Sequence, residues 1–269
     1  MKKTDEENYL ELNKTSWNKR TEVHYDSAFY DNATFVNGRT SLNAIELAFL
    51  GDMKGKKVLH LQCHFGQDSI SLARMGAMVT AVDLSDKAIE KGKQLAAECG
   101  VNVHFIECDV YQLPEILSET FDFIFTSYGT IGWLPDMDRW AAVIDHFLAP
   151  GGRFLLVEFH PALWMFDDDF THVKYGYFNS ASIVEETTGT YTDPSHEMIN
   201  KYVTWNHPLS DVISSLLNVG LHVISFREYD YSPYNCFNKA KEVRPGAFQV
   251  EGMEGKLPIV YALEMSKGS

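Results

Sequence analysis

From Lys56 onward the chain alternates short apolar runs with helical patterns, and this alternation constrains its fold more than any other feature. Strands separated by helices build a mostly parallel sheet covered on both faces. Val58-Leu59-His60-Leu61 is the first predicted strand, and Ser69 to Met75 reads as a helix stopped by Gly76. Val79 to Asp83 is a second strand. Ser85 then suits the N-cap of a helix whose inward stripe is Ile89, Gly92, Ala96 and Cys99. Val103 to Ile106 and Phe121 to Thr126 are the third and fourth strands. Trp140, Val143, Ile144, Phe147 and Leu148 recur at helical spacing, and Pro150-Gly151-Gly152 ends that helix before a fifth strand, Phe154 to Phe159.

On either side of this core the pattern changes. Up to Leu50 the chain is helical and aromatic in character, with Trp17, Tyr25, Phe29, Tyr30 and Phe35 among polar residues, and reads as an N-terminal helical cap over 1–50. Between Pro161 and Pro208 the alternation stops. A stretch that long predicts strands of its own and a covering role. Beyond it, Ser210 is expected to cap a helix carrying Ile213, Leu216 and Leu217, and strands near His222 to Tyr229 and Ile259 to Met265 are expected to pair antiparallel at the sheet edge. A length of 269 residues suits one α/β domain.

Charge and cysteine content exclude several functions. The chain has 23 basic and 37 acidic residues, a net charge of −14, which disfavours a nucleic-acid partner. Met1-Lys2-Lys3-Thr4-Asp5-Glu6-Glu7-Asn8 has no apolar stretch behind its lysines, so no secretory leader is expected, and no run approaches a membrane span. Cys63, Cys99, Cys108 and Cys236 show no CxxC spacing, so the expectation is a reduced, cytoplasmic protein without a structural metal. Oligomeric state is not legible in the sequence.

In an open parallel sheet, ligands bind beyond the carboxyl ends of the strands. There the chain places Leu61-Gln62-Cys63-His64-Phe65-Gly66, then Asp83-Leu84-Ser85, then Asp109-Val110, then Ser127-Tyr128-Gly129-Thr130. Carboxylates at two consecutive strand ends suit a nucleoside, one for the ribose hydroxyls and one for an amino group of the base. Asp83 follows Gly66 by 17 residues, near the roughly 20 expected of a dinucleotide fold. Asp83 would also suit helix capping, a role Ser85 already fills. Only Gly66 stands where a GxGxxG would be, and no Lys or Arg is at hand for a pyrophosphate, which favours a cofactor without phosphates.

These residues resemble the class I S-adenosylmethionine-dependent methyltransferases. Val58 to Gly66 looks like their first motif, usually VLDLGCGTG, with His60 in place of the acid and Gln62 and His64 in place of glycines. Asp83 resembles the family's ribose-binding acid and Asp109 the acid set against adenine. Phe121-Asp122-Phe123-Ile124 and Leu148-Ala149-Pro150-Gly151-Gly152 resemble its later signatures. The resemblance implies a Rossmann-like α/β/α sandwich with a seven-stranded, mostly parallel sheet, divided into a cofactor-binding core over 56–160, a substrate-side insertion over 161–208 and a C-terminal helix with edge strands over 209–269. It implies S-adenosylmethionine as cofactor and a small-molecule methyl acceptor.

The expected cofactor contacts are Leu61, Gln62, Cys63, His64, Gly66, Asp83, Leu84, Asp109, Val110, Ser127 and Tyr128. Trp17, Arg20, Tyr25, Trp133 and Trp164 are candidate lid and substrate contacts, and His160 is the candidate base, against the alternative of a hydrogen-bonded structural histidine. Two rival functions are an NAD(P)-dependent oxidoreductase and a binding protein that keeps the cleft without turnover.

Overall fold

The computed structural model describes residues 4–179 and 181–268. Met1-Lys2-Lys3, the start of the segment read as lacking a secretory leader, lies outside the described residues. The N-terminal part forms helices α1 (Tyr9–Tyr25), α2 (Asn32–Val36) and α3 (Ala44–Leu50). The alternating core follows as β1 (Lys57–Leu61), α4 (Gln67–Arg74), β2 (Met78–Asp83), α5 (Asp86–Glu98), β3 (Val103–Glu107), α6 (Leu113–Ile116), β4 (Phe121–Ser127), α7 (Met137–Phe147) and β5 (Leu148–Phe159). Then come β6 (Ile183–Thr188), β7 (Ile199–Thr204), α8 (Leu209–Asn218), β8 (Leu221–Tyr229), β9 (Ala240–Arg244), β10 (Ala247–Val250) and β11 (Val260–Lys267).

Seven strands make one sheet in the order β3-β2-β1-β4-β5-β11-β8, parallel except for β11, which runs antiparallel to both neighbours. The expected antiparallel pair exists, with β8 as the edge and β11 inserted beside β5. Alternation along each strand sorts side chains to two faces. Leu59, Leu61, Ile124, Phe154, Leu156 and Leu263 pack under α7 and α8. Val58, Phe123, Phe125, Leu155 and Val157 pack under α3 and α4, and Ala81 and Phe105 under α4 and α5.

Local differences from the expectation have simple causes. Pro208, not Ser210, stands at the N-cap of α8, where its missing N–H has no helical partner to lose. Cys99 sits at the C-cap of α5, and Leu95 fills the inward stripe instead. The insertion holds the β6–β7 hairpin. A second hairpin, β9–β10, was not expected, because β9 is almost wholly exposed and shows no buried alternation.

Helix α1 lacks an apolar stripe. Its buried residues are Asn13, Ser16, Arg20, Thr21, His24 and Tyr25, and of these Asn13 and Arg20 line a cavity beneath the helix. Asn18 Nδ2 donates to Asp86 Oδ1 at 2.8 Å and Ser85 Oγ to Asn18 Oδ1 at 2.6 Å, fixing α1 over the end of β2.

Candidate active site

A cavity of about 690 Å³ opens beyond the carboxyl ends of the central strands. Its floor is the loop after β1, in which Gln62 (φ 55°), His64 (φ 54°) and Gly66 (φ 73°) all take left-handed conformations. The loop therefore keeps a glycine-type path at two positions that carry side chains, at a cost on the order of 1–3 kcal/mol each. Gln62 Nε2 donates to the Thr130 carbonyl at 2.7 Å. Gln62 Oε1 and His64 Nε2 are buried without a protein partner, and both residues line the cavity. Burial, aided by the charge of Arg20, lowers His64 to about 3, so its ring is neutral.

Asp83 and Asp109 reach the same cavity from the ends of β2 and β3. Asp83 accepts the N–H of His64 at 2.7 Å and that of Ser85 at 2.9 Å, and burial raises its carboxyl to about 6. Asp109 accepts the N–H of Tyr111 at 3.1 Å and is likewise raised by burial, against the pull of Arg139.

The loop after β4 is shaped by a residue that sequence reasoning missed. Glu158, buried on β5, takes the N–H groups of Gly129, Thr130 (2.7 Å), Ile131 (3.2 Å) and Phe159 (2.7 Å), together with the Thr130 hydroxyl at 3.0 Å. Successive N–H groups converging on one carboxylate form a nest that sets the loop's course. Tyr128 stands at its start with φ 49°.

Above this floor, Trp17 and Arg20 of α1 meet Trp133. The Arg20 guanidinium lies 5.6 Å from the centroids of Trp17 and Trp133 and 5.0 Å from that of Tyr202. Trp164 packs edge-on against Phe159, with ring centroids 5.7 Å apart.

Cys63, Leu84, Val110 and Ser127 also line the cavity, but three expected contacts do not. Leu61 is buried under α7 and offers its carbonyl to the Thr126 hydroxyl at 3.2 Å. Tyr25 packs edge-on against Phe65 with centroids 5.4 Å apart, beneath the loop instead of over it. His160 has both ring nitrogens engaged: Nδ1 accepts the Ala162 N–H at 3.0 Å, and Nε2 faces Glu228 at 3.0 Å. That arrangement makes it a hydrogen-bonded structural histidine with no nitrogen left for a substrate. Among the described residues, no three His, Cys, Asp or Glu side chains are grouped as a metal ion would require, and no helix is long and apolar enough to cross a membrane.

Residues 58–152 match a family described as methyltransferase domain. An uncharacterised methyltransferase of Synechocystis is 32% identical over 136 residues, covering 49% of this chain and 60% of that protein. A ubiquinone biosynthesis O-methyltransferase of Coxiella burnetii is 30% identical over 115 residues, covering 42% of this chain and 48% of that one. The chain thus spans about half the length of the curated relatives it matches. A solved S-adenosylmethionine-dependent methyltransferase from Clostridium acetobutylicum aligns over 96% of this chain and 99% of its own, with a TM-score of 0.58 at 14% identity, which shows the fold. Residues 58–152 thus match a methyltransferase domain, and the seven-stranded sheet that holds them has the fold of solved S-adenosylmethionine-dependent methyltransferases.

Proposed function

We propose that the chain transfers a methyl group from S-adenosylmethionine to a small-molecule acceptor by in-line displacement. One observation carries this reading: Asp83 and Asp109, on adjacent strand ends, line one cavity together with the loop from Gln62 to Gly66. Each Asp83 oxygen spends one lone pair on a backbone N–H and keeps another for a ribose hydroxyl. Asp109 keeps acceptor capacity for the adenine amino group. The orphaned Gln62 Oε1 suits the ammonium of the aminoacyl tail, and Arg20 suits its carboxylate. Leu84, Val110 and Cys63 supply apolar walls, and Ser127 and Tyr128 border the acceptor side.

When bound, S-adenosylmethionine supplies a methyl group already activated on a sulfonium. The chain's part is then to hold the acceptor in line with that methyl and keep water out. Positioning of this kind lowers a bimolecular barrier by about 7–11 kcal/mol in favourable cases. The aromatic lid of Trp17 and Trp133, with Trp164 across the cavity, serves the exclusion of water. A hydroxyl acceptor is supported by the names of the ubiquinone biosynthesis O-methyltransferases among the relatives. A net charge of −14 argues against a nucleic-acid substrate, and four free cysteines suit a reducing cytoplasm.

Isothermal titration with S-adenosylhomocysteine and with NADH tests the reading. Binding of the former alone is expected. Tight binding of NADH alone would replace it with the oxidoreductase. Release of S-adenosylhomocysteine from S-adenosylmethionine with a panel of small phenols, amines and acids then separates an enzyme from a binding protein without turnover.

A further inference from the structure

Glu46, at the third position of α3, is wholly buried, and the side chains that hydrogen-bond it, Asn43 and Tyr128, are neutral. Its Oε1 accepts from the Asn43 backbone at 3.3 Å and from Asn43 Nδ2 at 3.2 Å, the reciprocal half of a capping box. That box leaves Oε2 to spare, and Oε2 instead accepts the hydroxyl of Tyr128 at 2.9 Å. Tyr128 lines the cavity with a backbone, at φ 49°, that bulky residues rarely adopt. Strain of that kind persists only where the surroundings enforce it. Asn43 Nδ2 also donates to the Tyr234 hydroxyl at 2.7 Å, and Tyr234 lines the cavity too. The Tyr128 ring lies edge-on to Tyr234 at 5.1 Å and 5.6 Å from Phe159, making an aromatic wall beside the buried carboxylate.

We propose that Glu46, reached through the Tyr128 hydroxyl, is the proton acceptor for a phenolic substrate held against this wall. The proposal rests on the methyl-transfer reading and deepens it by naming the acceptor class. Tyr128 already donates its proton to Glu46, so the free lone pair of its oxygen can take a hydrogen bond from a substrate hydroxyl. In the step itself, the substrate proton passes to Tyr128 Oη as the proton of Tyr128 passes to Glu46 Oε2. Tyr128 stays neutral, Glu46 becomes a carboxylic acid, and the substrate oxygen keeps the electron pair that forms the new bond to the methyl carbon. The pair of the breaking carbon–sulfur bond stays on sulfur, and Glu46 later returns its proton to solvent. A carboxylate acceptor would need no such relay, whereas a phenol does.

The surroundings suit a base that works near neutral pH. Burial, then the charge of Asp68 on α4, raises Glu46 to about 7, while the Tyr128 and Asn43 hydrogen bonds oppose the rise. Tyr234 and, from β8, Tyr229 also feel its charge.

The test uses 4-nitrophenol, whose ionisation is visible by absorbance, added to the protein loaded with S-adenosylhomocysteine. The bound probe is expected to ionise about one pH unit or more above the free probe, because its neutral hydroxyl donates to Tyr128 and the Glu46 carboxylate behind it disfavours a second negative charge. Glu46→Gln, which keeps the capping box, and Tyr128→Phe, which breaks the relay at its other end, should each abolish that shift, with thermal unfolding as the control for folding. Intact S-adenosylhomocysteine binding with no probe binding, or with an unchanged shift in Glu46→Gln, overturns this assignment alone. Absence of S-adenosylhomocysteine binding overturns the methyl-transfer reading and this assignment with it.

Discussion

The backbone N–H of His64 donates to Asp83 Oδ2 at 2.7 Å, so the carboxylate at the end of β2 holds the loop that follows β1. Through its other oxygen Asp83 takes the Ser85 N–H at the start of α5. One side chain therefore positions two of the segments that line the cavity at the carboxyl ends of β1 and β2. Asp83→Ala leaves two backbone donors without partners and should lower stability by about 2 kcal/mol while weakening S-adenosylhomocysteine at least about tenfold. Thermal unfolding and titration calorimetry read the two effects separately. Undiminished affinity in a folded Asp83→Ala protein removes the ribose role.

The same residue sets a pH dependence with two opposite signs. Burial holds Asp83 at about 6, above the ordinary 3.8, and Glu46 at about 7. A carboxyl whose folded pKa exceeds its unfolded value binds protons more tightly in the folded state. Its stabilising contribution is full below the unfolded pKa and is lost as pH rises through about 6 for Asp83 and about 7 for Glu46. Ribose hydroxyls, by contrast, donate better to a carboxylate than to an acid. Affinity for S-adenosylhomocysteine should accordingly rise between about pH 5 and pH 7 as Asp83 ionises. Calorimetry across that range checks the sign, and a flat profile contradicts it.

His160 makes a contrasting prediction. With Nδ1 accepting from Ala162, the ring proton sits on Nε2 and points at Glu228, so the residue ties the end of β5 to β8. His160→Phe should cost about 1–2 kcal/mol of stability through the lost hydrogen bonds. Affinity for S-adenosylhomocysteine should stay within about twofold, below the 1.4 kcal/mol that marks a tenfold change. A large loss of affinity at unchanged stability would restore a direct role at the site.

The parts of the site legible in the sequence are those whose meaning is local. Asp83 and Asp109 stand directly after apolar strands, and position alone places them at the sheet's carboxyl rim. Gln62 and His64 read as departures from a glycine motif, yet their left-handed φ values show that the backbone path survived the change. Strain of this kind leaves no mark in residue type. Glu158 and Glu46 were illegible for another reason: their decisive partners, Thr130 and Tyr128, lie 28 and 82 residues away. A single glutamate in a strand or a first helical turn carries no trace of such contacts. Helix α1 hid its role because part of its buried face meets a cavity, so the burial that usually writes an apolar stripe selected Asn13 and Arg20.

Asn13 explains how the β6–β7 hairpin is held. Its Nδ2 donates to the Val203 carbonyl at 2.8 Å, and its Oδ1 accepts the Val203 N–H at 2.9 Å, which closes the free edge of β7 as a neighbouring strand would. Asn13→Ala should cost about 2 kcal/mol by leaving both groups of Val203 buried and unpaired. Amide hydrogen exchange at β7 should accelerate relative to β4. Equal protection of β7 in the variant and the parent would show that the hairpin does not depend on α1.

Phe105 sets a sharper test of the loop geometry. A Cβ added at Gly66 would stand 2.6 Å from the Phe105 ring, and one added at Gly92 would stand 2.7 Å from the same ring. The two glycines differ in backbone, because Gly66 has φ 73° whereas Gly92 lies within α5, where alanine is the better helix former. Overpacking of a well-filled core costs about 1–3 kcal/mol, so each single alanine variant should lose stability in that range or beyond. Adding Phe105→Leu removes the steric part. The Gly92→Ala pair should then recover most of its loss, since nothing else opposes alanine there. The Gly66→Ala pair should recover only in part, because the left-handed strain stays, and S-adenosylhomocysteine affinity should remain reduced while the loop is displaced. Equal rescue of both pairs would mean that the left-handed path at Gly66 is not needed to build the cavity floor.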